Sequence, residues 1–265
     1  SGLEQEDLLI IRALIDATKK IERQFGRSNV IVNTIVFLRN DVYELLVKET
    51  SDRGKEASVL LDWTDPDLLR ELVRLRIVSN GIKGDESFES LWPKICVSHF
   101  DGEDSSQYLI ERSLMRPRFL LNLISQCKSV AINLNHDRIQ EKDIEKGLTA
   151  YSTDLLTDIG YEINDVEHNM DDVLYAFIST KSINTKDDIY MVLADFGVDS
   201  QFFDKIFDLL LWYGFIGLII NDETKYIYDF NYNMRLMAGI IKKKGNIEYQ
   251  INPAFWPALM ITNDL

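Results

Sequence analysis

Cysteine, histidine and proline are scarce in this chain of 265 residues, at 2, 3 and 5 copies, and each scarcity closes off a class of chemistry. Cys96 and Cys127 lie inside apolar segments with no CxxC partner, the pattern of buried free thiols in a reducing compartment and not of a disulfide or metal pair. His99, His136 and His168 are scattered, with no second His or Cys at ligand spacing, so a zinc site is not expected. Basic residues are also in short supply. Lys and Arg number 29 against 43 Asp and Glu, a net charge of −14, which repels phosphate backbones and speaks against general nucleic-acid coating. Long apolar runs are missing as well: Leu209 to Trp212 and Phe215 to Ile220 fall well below the roughly 18 residues of a membrane span. No basic-then-apolar leader opens the chain, so the expectation is a cytoplasmic protein with no membrane contact. Neither GxSxG nor GxxxxGK[ST] occurs, which removes the acyl-transfer elbow and the phosphate-cradling loop. Ser1-Gly2 reads as a cloning remnant, and an opening without Met suggests a piece of something longer.

What is present is a globular composition, 46% apolar and 11% aromatic, long enough for about two domains. Leu8, Ile11, Leu14, Ile15, Thr18 and Ile21 form one stripe of an amphipathic helix over Glu4 to Phe25, with Gly26 placed to end it. Asn29 to Leu38 is nearly continuous in large apolar residues without alternation, the pattern of a parallel strand buried on both faces. Its neighbours must come from elsewhere or from Val59-Leu60-Leu61, because a lone parallel strand is not stable. Thr64 and Asp67 make a capping-box pattern around Pro66, opening a helix to about Ser79. Further helices are predicted at about 88–95, 106–114, 117–134 and 140–157, a helical bundle, with 160–169 as an acidic linker. Then come helices at about 171–180, 186–196 and 200–213, a strand over Phe215 to Ile220, a turn at Asn221 to Thr224, a strand over Lys225 to Phe230 and another at Tyr249 to Asn252. Three helices followed by a hairpin is the order of a winged helix.

Two sets of residues carry candidate chemistry. Arg39 and Asn40 follow the expected strand, where the ligand crevice of an open α/β sheet lies; an arginine there suits a phosphate, or it pairs with Asp41 or Glu44. Arg116 and Arg118 flank Pro117 at a helix start, where cations oppose the helix dipole unless an anion is present; the alternative is a surface pair with the acidic helices. Asn133 to His136 reads as a helix-terminating turn. The candidate recognition helix, Gln201 to Tyr213, carries Asp204, Lys205 and Asp208, and residues 151–265 hold a net charge of −10 against −4 for 1–150. That favours a protein partner over DNA, and Tyr226, Tyr228, Phe230, Tyr232, Phe255 and Trp256 supply either an inner face or an exposed apolar patch.

The order of helix, buried strand ending in Phe37-Leu38-Arg39-Asn40-Asp41, Leu61-Asp62-Trp63, Arg116-Pro117-Arg118 and winged helix resembles the C-terminal two-thirds of bacterial P-loop ATPases of the STAND and origin-recognition-like AAA+ branches. The resemblance implies a mainly α fold with small β: the end of an ATPase core at 1–62 with one remnant parallel strand, a helical lid at 63–160 and a winged-helix domain at 161–265. It implies that Arg39 is similar to a sensor 1 arginine and Arg116 and Arg118 to a lid sensor 2 arginine, approaching ATP and Mg²⁺ held by a preceding domain of the full-length protein. Without that domain's P-loop, no tight nucleotide binding and no hydrolysis by this chain alone are expected. The expected partners are an N-terminal ATPase core or another subunit, and a protein met by the winged helix. The alternative is a winged-helix DNA-binding protein of replication or partition type.

Overall fold

The computed structural model describes residues 5–38, 42–43, 46, 59, 61–81 and 86–262. The chain divides into two compact units, one of residues 1–60 with 164–169 and one of 61–163 with 170–265.

In the first unit, helix α1 spans Gln5–Arg27. It ends in a turn where Asn29 is left-handed and the Val30 N–H donates to the Phe25 carbonyl at 3.0 Å. The segment that follows is not the expected buried strand. Residues 30–38 form no ladder, and Ile31, Ile35 and Phe37 are 88%, 76% and 78% exposed. The physical reason is the one that made the strand conspicuous: a run with apolar side chains on both faces needs strands on both sides, and the described residues supply none. Val59 and Leu61, the internal candidates, are themselves exposed.

The second unit is mainly helical with two small antiparallel sheets. Helix α2 spans Pro66–Ser79 and is capped by Asp65, whose side chain accepts from the Asp67 N–H at 2.9 Å; Thr64 bonds to Asp62 instead of closing a capping box. Helix α3 (Phe88–Ile95) leads to a hairpin of β1 (His99–Phe100) and β2 (Glu103–Asp104), turned by left-handed Asp101 and Gly102. Helices α4 (Ser105–Arg112), α5 (Pro117–Asn133) and α6 (Glu141–Asn164) complete the bundle. Leu69, Leu91, Leu109, Leu123 and Tyr151 are fully buried in it. Each such side chain contributes about 1.5–3 kcal/mol, against 0–1 for an exposed ion pair, so apolar packing holds the bundle together.

Two glycines show how tight that packing is. A Cβ on Gly147 would stand 2.7 Å from the Cα of Cys127 on α5, and one on Gly160 would stand 2.2 Å from the carbonyl oxygen of Asp171. Helix α6 therefore runs on to Asn164, through the start of the stretch expected as a linker, because its backbone is held against its neighbours there.

After a 3-10 turn at Val173–Phe177, where a longer helix was expected, β3 (Ile183–Asn184) precedes α7 (Lys186–Asp195). Helix α8 (Phe203–Trp212), β4 (Ile216–Ile220) and β5 (Glu223–Lys225) follow. The second hairpin strand stops at Lys225, and the residues expected to extend it form a 3-10 turn, Ile227–Phe230, in which Asp229 accepts from the Tyr226 N–H at 2.7 Å. Helix α9 (Met234–Lys244), β6 (Tyr249–Ile251) and the short α10 (Trp256–Leu259) close the chain's described part. The sheet order is β3-β6-β4-β5, all antiparallel, so β6 and not the hairpin's second strand lies between β3 and β4.

Candidate functional site

The arginines at the start of α5 are placed by an unusual entry. Leu114 and Met115, both buried, are consecutive left-handed residues (φ 54° each), a conformation that costs non-glycine residues about 1 kcal/mol or more apiece. They deliver Arg116 to the N-cap and Pro117 to the first helical position, as the sequence requires, and Arg116 makes no side-chain cap. Its Nη1 instead donates to both carboxylate oxygens of Glu162 on α6 at 2.9 Å. The guanidinium also faces the rings of Phe119 and Tyr213, with centroids 5.2 and 6.0 Å away. Burial works against its charge, but the Glu162 carboxylate and the Tyr232 phenol outweigh that and raise its pKa. Tyr213, just beyond α8, donates its hydroxyl to the Glu162 carbonyl at 2.9 Å, so this cluster joins the bundle to the sheet-bearing part.

Arg118, 74% exposed, pairs with Asp158, and Gln126 donates to Asp154 at 2.8 Å. Arg118, Asn122 and Gln126 are spaced by four on α5, and Asp154, Asp158 and Glu162 by four on α6. The result is a polar ladder along the antiparallel helix pair. Both arginines thus have a carboxylate partner on α6, Arg116 in a partly buried pair and Arg118 at the surface. Arg39 and Asn40 lie outside the described residues.

On α8 the exposed Asp204 is held by Lys186 Nζ at 2.9 Å and by the Tyr190 hydroxyl at 2.5 Å. Lys186 loses from burial but gains more from Tyr190 and Asp204, which raise its pKa. The aromatic residues of the hairpin and its flank face inward: Tyr226 and Phe255 are buried, and Tyr228, Phe230, Tyr232 and Trp256 are half-buried. Asn252 ties Tyr228 to the strand entry, donating to the Gly214 carbonyl at 3.2 Å and to the Tyr228 hydroxyl at 3.3 Å. The exposed-patch reading of these aromatics is therefore corrected to the inner-face reading. Among the described residues no group of three or more His, Cys, Asp or Glu is placed to hold a metal ion, and no helix is long and apolar enough to cross a membrane.

Sequence reasoning missed one cluster. His136, in the turn that ends α5, has Nδ1 2.8 Å from Oδ2 of Asp143 in the first turn of α6, and Asp143 is wholly buried. The available signal was a His and an Asp seven residues apart across a helix break, which is weak.

Residues 67–160 match the model of the family described as the FunZ-associated C-terminal helical domain. A protein of Escherichia coli (strain K12) described as "Putative transposon gamma-delta 80.3 kDa protein" is 23% identical over 257 residues, covering 88% of this chain. The chain spans 35% of that relative's length. No solved structure matches the chain. These findings overturn the resemblance to STAND and origin-recognition-like AAA+ ATPases: the helical stretch read as a lid matches the FunZ-associated helical domain.

Proposed function

We propose that this chain is an interaction module of a larger assembly, in which the first unit supplies a helix and a strand to an α/β sheet made by other sequence. The observation that carries this reading is the segment 30–38, whose unalternating apolar side chains are exposed although the pattern suits a strand covered on both faces. Two features support it. The Thr34 N–H donates to Glu22 of α1 at 2.6 Å, so the segment comes back to its helix as the returning arm of a βαβ crossover does. Leu14, Ile21 and Phe25 on α1 are exposed too, an apolar face of the kind that covers a sheet. The second unit is then a platform whose winged-helix-like part meets protein and not DNA, in keeping with the −10 net charge of residues 151–265. The likeness to a protein described as belonging to a transposon supports service in a protein of a mobile genetic element.

Hydrogen–deuterium exchange tests the reading. Amides of 30–38 should exchange freely in this chain alone and become protected at least about a hundredfold when it is part of the longer polypeptide. Unchanged exchange there, or duplex-DNA binding by the isolated chain with a steep salt dependence, would overturn it.

A further inference from the structure

The turn between α5 and α6 and the end of α3 enclose an open cleft of about 480 Å³, lined by Lys94, Asn135, His136, Asp137, Arg138 and Gln140. In a chain of net charge −14, this lining carries two cations and an imidazole against one acid. Its walls are fixed by backbone bonds. The His136 N–H donates to the Ala131 carbonyl at 2.9 Å, and Ile139 is laced to the end of α3 by its N–H to Ile95 and its carbonyl to Val97, each at 2.9 Å.

Three side chains in the cleft keep polar atoms open to a ligand. Arg138 Nη1 donates to the Pro93 carbonyl at 3.0 Å, which fixes the guanidinium while its other N–H groups make no further bond among the described residues. Lys94 reaches Glu86 at the rim. His136 Nδ1 lies 2.8 Å from Asp143 Oδ2, and because a carboxylate oxygen accepts, the proton of that bond belongs on Nδ1 and Nε2 is the nitrogen left for a ligand.

Asp143 is the unusual member. Its Oδ2 also accepts the Gln140 N–H at 2.8 Å, the ordinary work of a helix cap. The other aspartates that do this work as N-caps, Asp65, Asp104 and Asp199, lie at the surface. Here the carboxylate is fully buried and Oδ1 has no partner among the described residues, a costly arrangement that a cap alone does not require.

We propose that this cleft binds a small phosphomonoester, with Arg138 and Lys94 on the phosphate oxygens, His136 Nε2 on a third, and Asp143 as the positioning residue that fixes the imidazole. Phosphate suits the set because the guanidinium fork meets two oxygens, while Nε2 accepts the proton of the singly protonated ester or, having taken it, donates to the dianion. The cleft is larger than phosphate alone needs, and no aromatic side chain lines it to stack a base, so the ester's carrier is polar, such as a sugar.

An NMR titration of the labelled chain with inorganic phosphate, ribose 5-phosphate, ribose and sulfate tests this. Both phosphates should produce saturating shifts at residues 94 and 135–140 and at the His136 ring, ribose 5-phosphate binding more tightly, with a Kd of about 1 mM or below. Arg138→Gln should weaken binding at least about tenfold with an unchanged fold, and Asp143→Asn should alter the pH profile of binding. If either variant fails to fold, Lys94→Gln and His136→Gln, whose side chains lie at the surface of the cleft, decide the matter by the same tenfold criterion. Absence of saturation at about 20 mM, equal titration by sulfate, or full binding by the surface variants would overturn the proposal.

Discussion

Gly147 lies in the interior of α6, a place where alanine ordinarily stabilises a helix by about 1 kcal/mol. At this position the added Cβ would stand 2.6 Å from Cys127 Sγ and 2.7 Å from both Cα and N of the same residue. Comfortable carbon–carbon contact begins at about 3.5 Å, so α5 and α6 must part by nearly 1 Å or distort. Overpacking of this kind costs typically 1–3 kcal/mol, and with two of the three obstructing atoms in backbone the upper end applies. The helical gain is outweighed, and Gly147→Ala should destabilise the second unit by about 2 kcal/mol, a fall in Tm of roughly 4–8 °C. Trimming the sulfur does not relieve a clash with Cα and N, so Cys127→Ala should not rescue the variant. Gly239, in the middle of α9 with nothing within 4 Å, is the internal control: Gly239→Ala should raise Tm by a few degrees. Thermal and urea melts followed by circular dichroism read all three. A Gly147→Ala protein as stable as the parent, or one restored by Cys127→Ala, would refute the close-approach argument.

Removing the α2 cap with Asp65→Ala should cost about 1 kcal/mol, measured by urea denaturation. Asp229 is exposed as a residue, but desolvation of its carboxyl, the largest influence, raises its pKa above the ordinary 3.8 despite the Tyr226 N–H. The unfolded chain thus releases this proton first, and folding loses stability as pH rises from about 3.8 through the raised value. Asp229→Asn keeps an acceptor for Tyr226 and should gain on the parent over that window in Tm measured against pH. Burial pushes the Cys96 and Cys127 thiols up to about 11 and about 12, so an aromatic disulfide reagent at pH 8 should label neither in the folded chain and both after unfolding.

The legible parts of the fold were those written in local chemistry. Pro117 at a first helical position announced the start of α5 to the residue, and α3 and β6 fell where apolar spacing and a following Pro253 placed them. The Asp101-Gly102 turn of the β1–β2 hairpin and the Asn233 cap and Gly245 stop of α9 carried ordinary signals that were overlooked. Other features were not local at all. Nothing in Ile183-Asn184 says that its ladder partner is Tyr249-Gln250, and nothing in the apolar run 30–38 distinguishes a strand with neighbours from one still lacking them. For the candidate sites, residue types placed Arg116 and Arg118 correctly at a helix start. Their carboxylate partners stand 46 and 40 residues away and emerge only once α5 and α6 lie antiparallel.

The position of β6 sets an order on biosynthesis. Leaving the ribosome, the chain presents β3 more than sixty residues before the strand that pairs with it, and β4 reaches its hairpin partner β5 within a few residues. Until Tyr249–Ile251 emerges, β3 has no ladder and one side of β4 is an open edge; Leu218 within the strand and Phe215 just before it belong to the core. The nascent chain thus carries an unsealed apolar strand from the completion of β4 at Ile220 until Tyr249 follows, and the last strand acts as a keystone. Ribosomes stalled with β4 but not β6 clear of the exit tunnel should display a species that chaperones and proteases recognise, and ones stalled with both strands clear of it should not.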